Sequence, residues 1–227
     1  MSNFIIVTIK NWNIRQYNKS IFYKRKNWYL ITDPRRLTLN YLRSINPKYI
    51  FFPHWSKRVK SKIIDKYECI CFHETDVPYG RGGSPIQNLI VRNHKKTKIS
   101  ALKMIDILDA GPVYLKKSLK LNGTAQQIYE RAAKKIFQMI NLIAKKDIMP
   151  KAQKGKLVKF KRRKPKQSIL SKKFKSSNQI YDHIRMLDAE TYPLAYINYG
   201  NLKIEFKNAK LNKKFLSANV KIKIEKK

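Results

Sequence analysis

Apolar residues in this 227-residue chain fall into short runs separated by amphipathic stretches. The alternation persists for about the first 120 residues, the pattern of a βαβ sheet. FIIVTI (4–9) predicts a first strand and NWYLIT (27–32) a second. Asp33-Pro34 then opens a predicted helix running to Ser44, with aspartate as cap and proline at the first helical position. YIFFPHW (49–55) predicts a third strand ending at Pro53. SKRVKSKIIDKY (56–67) would place Val59, Ile63 and Ile64 on one helical face. CICFH (69–73) is apolar on both faces, which predicts a central fourth strand.

Beyond residue 73 the pattern changes. Gly80, Gly82, Gly83 and Gly111 gather backbone freedom into two loops. Ser84 and Pro85 predict the start of a helix, and KISALKMI and PVYLKKSL predict two strands around an LDAG turn at 108–111. Residues 124–146 predict the longest helix, whose stripe of Ile128, Ala132, Ile136, Ile140 and Ile143 belongs to the core. The chain is therefore expected to divide into an α/β domain over 1–150, a basic crossing segment over 151–177, and a small subdomain over 178–227. That last part combines a helix, a hairpin turning at Asn198–Asn201 and a final edge strand, NVKIKIE (219–225).

Composition adds a core-forming apolar content of 43% and a formal net charge of +37. The whole chain is basic, more densely so in its C-terminal third: residues 1–144 carry +19 and residues 145–227 carry +18. A lysine-rich proteome and a selected polyanion surface both produce such a spread, and both allow a phosphate-bearing substrate. No stretch of about 18 apolar residues predicts a membrane span, and no membrane association is expected. The start of the chain lacks the basic and small-residue features of a signal peptide. Cys69 and Cys71 are the two cysteines; they supply no disulfide framework and too few ligands for a structural zinc, so no metal is expected. A cytoplasmic location fits this cysteine usage.

Ligands of open α/β sheets bind beyond the C-terminal strand ends. His54 and His73 stand at two such predicted ends, and the glycine-rich loop follows the second. The loop lacks G-x-G-x-x-G spacing, a Gly-Lys-Ser/Thr and a G-x-S-x-G elbow, which argues against a dinucleotide site, a P-loop and an α/β-hydrolase. Asn11 and Trp12, just after the first strand, also lie at the ligand edge, where Trp12 serves either as a stacking surface or as core.

The stretch Cys71-Phe-His73-Glu-Thr-Asp-Val-Pro78-Tyr-Gly-Arg81-Gly82-Gly-Ser-Pro85 resembles the signature of the formyltransferase family. There an Asn-x-His is followed by Leu-Pro, Arg-Gly and Pro-Ile. Leu108-Asp109-Ala110-Gly111 matches the family's Leu-Asp-x-Gly turn in kind and spacing. FKRRKPKQS (160–168) and RMLDAETYPLAY (185–196) look like the tail of the sugar-formylating branch, more loosely. The resemblance implies a Rossmann-like three-layer formyltransferase domain with a small C-terminal β appendage. It implies transfer of a formyl group from N10-formyltetrahydrofolate to a primary amine. His73 would take the amine proton, and Asp109 would orient it and stabilise its charge. Cys71 replaces the family asparagine, whose amide donates to the oxyanion; a thiol is a weak donor. Pro53, His54, Arg81, Gly82 and Leu108 would face the cofactor, with Arg81 alternatively paired to Glu74. Asn11, Trp12, Gly83 and Ser84 would face the acceptor substrate.

Two acceptors fit such a family: a nucleotide-linked amino sugar or methionyl-tRNA. The tRNA enzyme carries a substantial further C-terminal domain, and only 77 residues follow Pro150 here. Size therefore points to the amino sugar, used in glycan biosynthesis, while charge points to tRNA; a homodimer is compatible with either. A reading of a different class keeps the fold without catalysis, as a basic nucleic-acid-binding protein.

Overall fold

In the computed structural model the described residues are 2–146 and 148–224. The order of elements is β1 (Asn3–Val7), α1 (Asn11–Asn18), β2 (Trp28–Ile31), α2 (Leu39–Ile45), β3 (Pro47–Pro53), α3 (Ser61–Ile64) and β4 (Cys69–His73). There follow β5 (Tyr79–Gly82), α4 (Pro85–Val91), β6 (Lys96–Lys103), β7 (Val113–Lys120), α5 (Ala125–Lys145) and β8 (Val158–Phe160). The chain ends with α6 (Ser177–Arg185), β9 (Ala195–Tyr199), β10 (Leu202–Leu211) and β11 (Leu216–Ile224). Contacts divide it into two compact units: Met1–Gly82 with Thr97–Leu119 and Glu130–Lys159, and Gly83–Lys96 with Lys120–Tyr129 and Phe160–Lys227.

The first unit is built on a six-stranded sheet ordered β2-β1-β3-β4-β6-β7. β2, β1, β3 and β4 run parallel, and β6 joins β4 antiparallel. The mixed α/β architecture with a mainly parallel sheet is the expected one. The apolar sequence of β3 explains why this strand sits inside: its alternate residues feed two separate cores. Ile50 and Phe52 join Ile5, Val7, Ile31 and Leu42. On the other face Phe51 lies 6.1 Å from the Trp28 ring, which stacks on Phe22 at 3.9 Å, and Phe22 reaches Phe137 of α5 at 6.0 Å. Cys69 and Cys71, two residues apart on β4, both pack against the first of these cores and both are free thiols.

Local chemistry moves several boundaries. Asp33 does cap its helix, accepting from the Arg35 N–H at 2.9 Å, but that helix is only a 3-10 turn over Pro34–Arg36. The chain restarts at Thr38, which caps α2. The helix expected over 56–67 shrinks to α3, Ser61–Ile64. Residues 11–18, given no helix above, form α1. The basic stretch after Pro150 contributes β8, which pairs with β5 of the glycine-rich loop.

The second unit carries a three-stranded antiparallel sheet ordered β11-β10-β9, the expected C-terminal β appendage. Its hairpin turns at the predicted residues, with Gly200 at a φ of 57°. Glu225 of the predicted edge strand lies outside the described residues. Two buried polar side chains tie this unit together. Arg185 donates to the Leu121 and Gly123 carbonyls at 2.7 and 2.9 Å, and Gln87 donates to the Met186 carbonyl at 3.0 Å. Among the described residues no helix is long and apolar enough to cross a membrane.

Phe51 is fully buried at the centre of the aromatic stack, so Phe51→Ala is expected to lower the unfolding free energy by about 3–5 kcal/mol. The surface change Ile21→Ala should stay within about 0.5 kcal/mol. Denaturant titration of the two variants reads the difference directly.

Candidate active site

Strand order reverses between β1 and β3, which opens a crevice beyond their C-terminal ends. His54 follows β3 there, held at a φ of 49°. Its Nδ1 accepts from the Trp12 indole N–H at 3.1 Å. An indole nitrogen only donates, so Nε2 carries the hydrogen aimed at Glu74 Oε1, 2.9 Å away. Asn13 and Thr8 brace the same corner by donating to the Pro53 carbonyl, each at 3.1 Å. Pro53 thus lends its backbone to a network, and Trp12 is core, 3% exposed.

His73 ends the neighbouring strand β4 and is 7% exposed. Its Nε2 lies 2.7 Å from the Gly80 carbonyl oxygen. A carbonyl only accepts, so Nε2 donates and Nδ1 is the basic nitrogen of the neutral ring. Nδ1 faces Asp109 Oδ2 at 3.6 Å. Two acceptors do not hydrogen-bond, which accounts for the gap; a proton arriving on Nδ1 would turn the contact into an ion pair.

The Asp109 carboxylate is itself placed from two sides. Oδ2 accepts from the Gly82 N–H at 2.9 Å, which joins the LDAG turn to the glycine-rich loop. The Asp109 backbone takes a left-handed φ of 54°, uncommon for a residue with a side chain. Gly111 lets the turn close, because a Cβ there would lie 1.8 Å from the Lys103 carbonyl oxygen. Gln153 completes the clamp. Its amide nitrogen donates to the Asp109 and Gly111 carbonyls, each at 2.8 Å, while its Oε1 accepts from Arg81 Nε and Nη2 at 3.0 and 2.8 Å. Arg81 is therefore occupied with Gln153, and Glu74 with His54.

Burial acts to raise the Glu74 carboxyl, but the electrostatic attraction and hydrogen bond of the facing His54 Nε2–H, followed by the attraction of His73, outweigh it and hold it below its ordinary value. Burial, reinforced by Asp109, pushes the Cys71 thiol far up. Cys71 is thus a protonated group beside the His–Asp pair, unsuited to act as a thiolate nucleophile. Leu108 lies on the rim, 71% exposed, next to Ile107 at 68%. Asn11 is exposed at the start of α1.

Gly83 and Ser84 fall in the second unit. The Gly83 N–H donates to the Phe160 carbonyl at 3.1 Å, and Ser84 Oγ accepts from the Arg163 N–H at 3.1 Å rather than capping α4. Sequence reasoning missed Gln153, which sits in a lysine-rich stretch without a motif. It weighed Glu74 only as a partner for Arg81.

Residues 165–223 match a family model described as the C-terminal domain of methionyl-tRNA formyltransferase. A solved structure, methionyl-tRNA formyltransferase from Clostridium thermocellum, is 44% identical, with a TM-score of 0.94, and the match covers 99% of this chain and 100% of that one. The chain belongs to the formyltransferase family. A curated relative from Thermotoga neapolitana, named methionyl-tRNA formyltransferase, is 22% identical, the match covering 75% of this chain and 57% of the relative. The chain thus spans little more than half the length of that formyltransferase. A sugar N-formyltransferase from Shewanella sp. shares the fold, with 16% identity, a TM-score of 0.70, and coverage of 94% of this chain and 100% of that one.

These relatives overturn the expectation of a nucleotide-linked amino sugar as acceptor, and glycan biosynthesis with it. The size argument behind that expectation fails because the Clostridium thermocellum protein, which carries the tRNA name, is covered end to end by this chain. Curated relatives from several bacteria carry the same name.

Because the Glu74 carboxyl is lowered in the fold from its ordinary value of 4.5, the unfolded chain binds this proton first as pH falls. Its stabilisation is complete above that value and is lost as pH drops through the folded value. Below about pH 4.5 the native protein should lose stability more steeply than Glu74→Gln, by up to about 1.4 kcal/mol per pH unit. Denaturant midpoints measured from pH 6 to pH 3 test the difference in slope; equal slopes would contradict it.

Proposed function

We propose that this formyltransferase moves a formyl group from N10-formyltetrahydrofolate to the amino group of methionyl-tRNA. The observation that carries the reading is the 44% identity, over 99% of the chain, to a protein named for that reaction. Supporting it are a buried histidine whose basic nitrogen faces a fixed carboxylate, and a net charge of +37 suited to a polyanionic acceptor. We place the reaction in the cytoplasm.

The residues present fit the formyl donor. Ile107 and Leu108 expose apolar surface beside Asp109, the kind of surface a flat aromatic ring system covers. Formyltetrahydrofolate, when bound, supplies an activated one-carbon unit. His73 accepts the proton released by the attacking amine at Nδ1. Asp109 then faces an imidazolium and stabilises it across the 3.6 Å contact. Gly82 and Gln153 keep the carboxylate aimed, so little reorganisation accompanies proton transfer. Glu74 and His54 form a second buried pair beside this one.

With formyltetrahydrofolate and methionyl-tRNA, the wild-type protein should release tetrahydrofolate in step with formylated tRNA. His73→Ala and Asp109→Ala should each lower turnover by about 10²–10⁴-fold with the far-ultraviolet circular dichroism unchanged. Near-normal turnover in either variant removes that residue from the mechanism, and tetrahydrofolate release without the tRNA removes the acceptor. Affinity for the tRNA should fall linearly with salt on logarithmic axes.

A further inference from the structure

Beside the His–Asp pair, four hydrogen bonds converge on the side-chain amide of Gln153. Its Nε2 donates to the Asp109 and Gly111 carbonyls at 2.8 Å each, and its Oε1 accepts from Arg81 Nε and Nη2 at 3.0 and 2.8 Å. A primary amide has two N–H donors and two lone pairs on its oxygen. All four are used. A carbonyl only accepts and a guanidinium only donates, so both ends of the amide are fixed in sense. Other residue types fail here for separate reasons. Asparagine is a methylene short, glutamate would turn an oxygen toward two carbonyls, and methionine offers neither group.

The main chain on either side of Gln153 is tied down as well. The Val113 N–H donates to the Lys151 carbonyl at 2.7 Å, and the Lys151 N–H returns the bond at 2.9 Å. Further on, the Val158 N–H donates to the Pro78 carbonyl at 3.2 Å. Residues 151–158 therefore strap across both the LDAG turn and the glycine-rich loop, and Gln153 is the side chain that reaches both. It is half-buried between exposed neighbours, Ala152 and Lys154.

The turn held in this way is strained, with Asp109 at a φ of 54° and no room for a Cβ at Gly111. Such a backbone persists only where its surroundings over-determine it. A bond to the Asp109 carbonyl fixes the peptide plane that follows this residue. It thereby sets the direction in which the carboxylate leaves the chain. We propose that Gln153 is a positioning residue for formyl transfer, acting through this turn on the 3.6 Å contact between Asp109 and His73 Nδ1. Arg81 anchors the amide and makes no contact of its own with folate or acceptor. The inference rests on the reading of His73 and Asp109 as the reacting pair.

Steady-state formyl transfer from formyltetrahydrofolate to methionyl-tRNA by the full chain tests this. Gln153→Glu keeps the bonds from Arg81 and loses the two to the turn. Its kcat should fall by about 10²-fold, the effect of a misplacement of about 1 Å. Both KM values should stay within about threefold of wild type, since ground-state binding is untouched. Gln153→Met and Arg81→Ala should each lower kcat in the same sense. Their double variant should be no worse than the more impaired single one, because the two act along one chain of bonds. Circular dichroism checks the fold; should Gln153→Met unfold, Gln153→Glu carries the reading. A folded Gln153→Glu protein with wild-type kcat overturns the proposal, and so does a loss confined to KM. Additive losses in the double variant would give Arg81 a ligand contact of its own and overturn it equally. Asp109→Ala separates the two levels. If it keeps near-normal turnover, the reacting pair falls and this inference with it; if it is impaired while Gln153→Glu is normal, this inference falls alone.

Discussion

A single carboxylate oxygen organises the candidate active site of this protein. Asp109 Oδ2 takes a backbone hydrogen bond from Gly82 at 2.9 Å and stands 3.6 Å from His73 Nδ1. The loop after β4 and the turn between β6 and β7 are thereby joined beside His73. Around that oxygen the sequence accepts several local costs: a left-handed Asp109, a Gly111 with no room for a side chain, and a glutamine spent on backbone carbonyls. Each makes sense only if the carboxylate has to be immobile.

The same requirement explains the second buried pair. Glu74 is charged, enclosed, and held by His54, which is in turn fixed by Trp12. A buried carboxylate costs several kcal/mol unless it is partnered, and the indole–imidazole–carboxylate chain supplies the partner. Asp109 and the Glu74–His54 pair are the ionisable groups enclosed with His73 at these strand ends. Burial keeps Cys71 a thiol, leaving that residue a weak donor at most.

Much of this was legible in the sequence. The apolar runs located the parallel strands, and strand-end histidines followed by a glycine-rich loop pointed to the candidate site. His73, Pro78, Arg81-Gly82, Pro85 and the LDAG turn pointed to the family, with Cys71 as a departure from its pattern. Long-range pairing was not legible. Gln153 meets Asp109 only because residues after Pro150 return to the turn, and nothing local in KAQKGK marks that contact. Arg81 was weighed against a ligand and a loop carboxylate such as Glu74, although Glu74 is turned toward His54 and Arg81 toward Gln153. Residues 11–18 form a helix because Trp12, Asn13 and Tyr17 find buried partners, which propensity alone does not reveal. The acceptor was misjudged for a different reason: chain length was treated as evidence of substrate, and a formyltransferase bearing the tRNA name proved to be covered end to end by this chain.

The account stands on which nitrogen of His73 is the base. Nitrogen-15 correlation spectra of the imidazoles, with the His73 signals assigned by their loss in His73→Ala, read this directly. In the neutral ring the account predicts hydrogen on Nε2, donated to Gly80, and a bare Nδ1 facing Asp109. A neutral ring carrying its hydrogen on Nδ1 would donate it to Asp109 and leave Nε2 as the basic nitrogen, and would contradict the assignment of the proton acceptor.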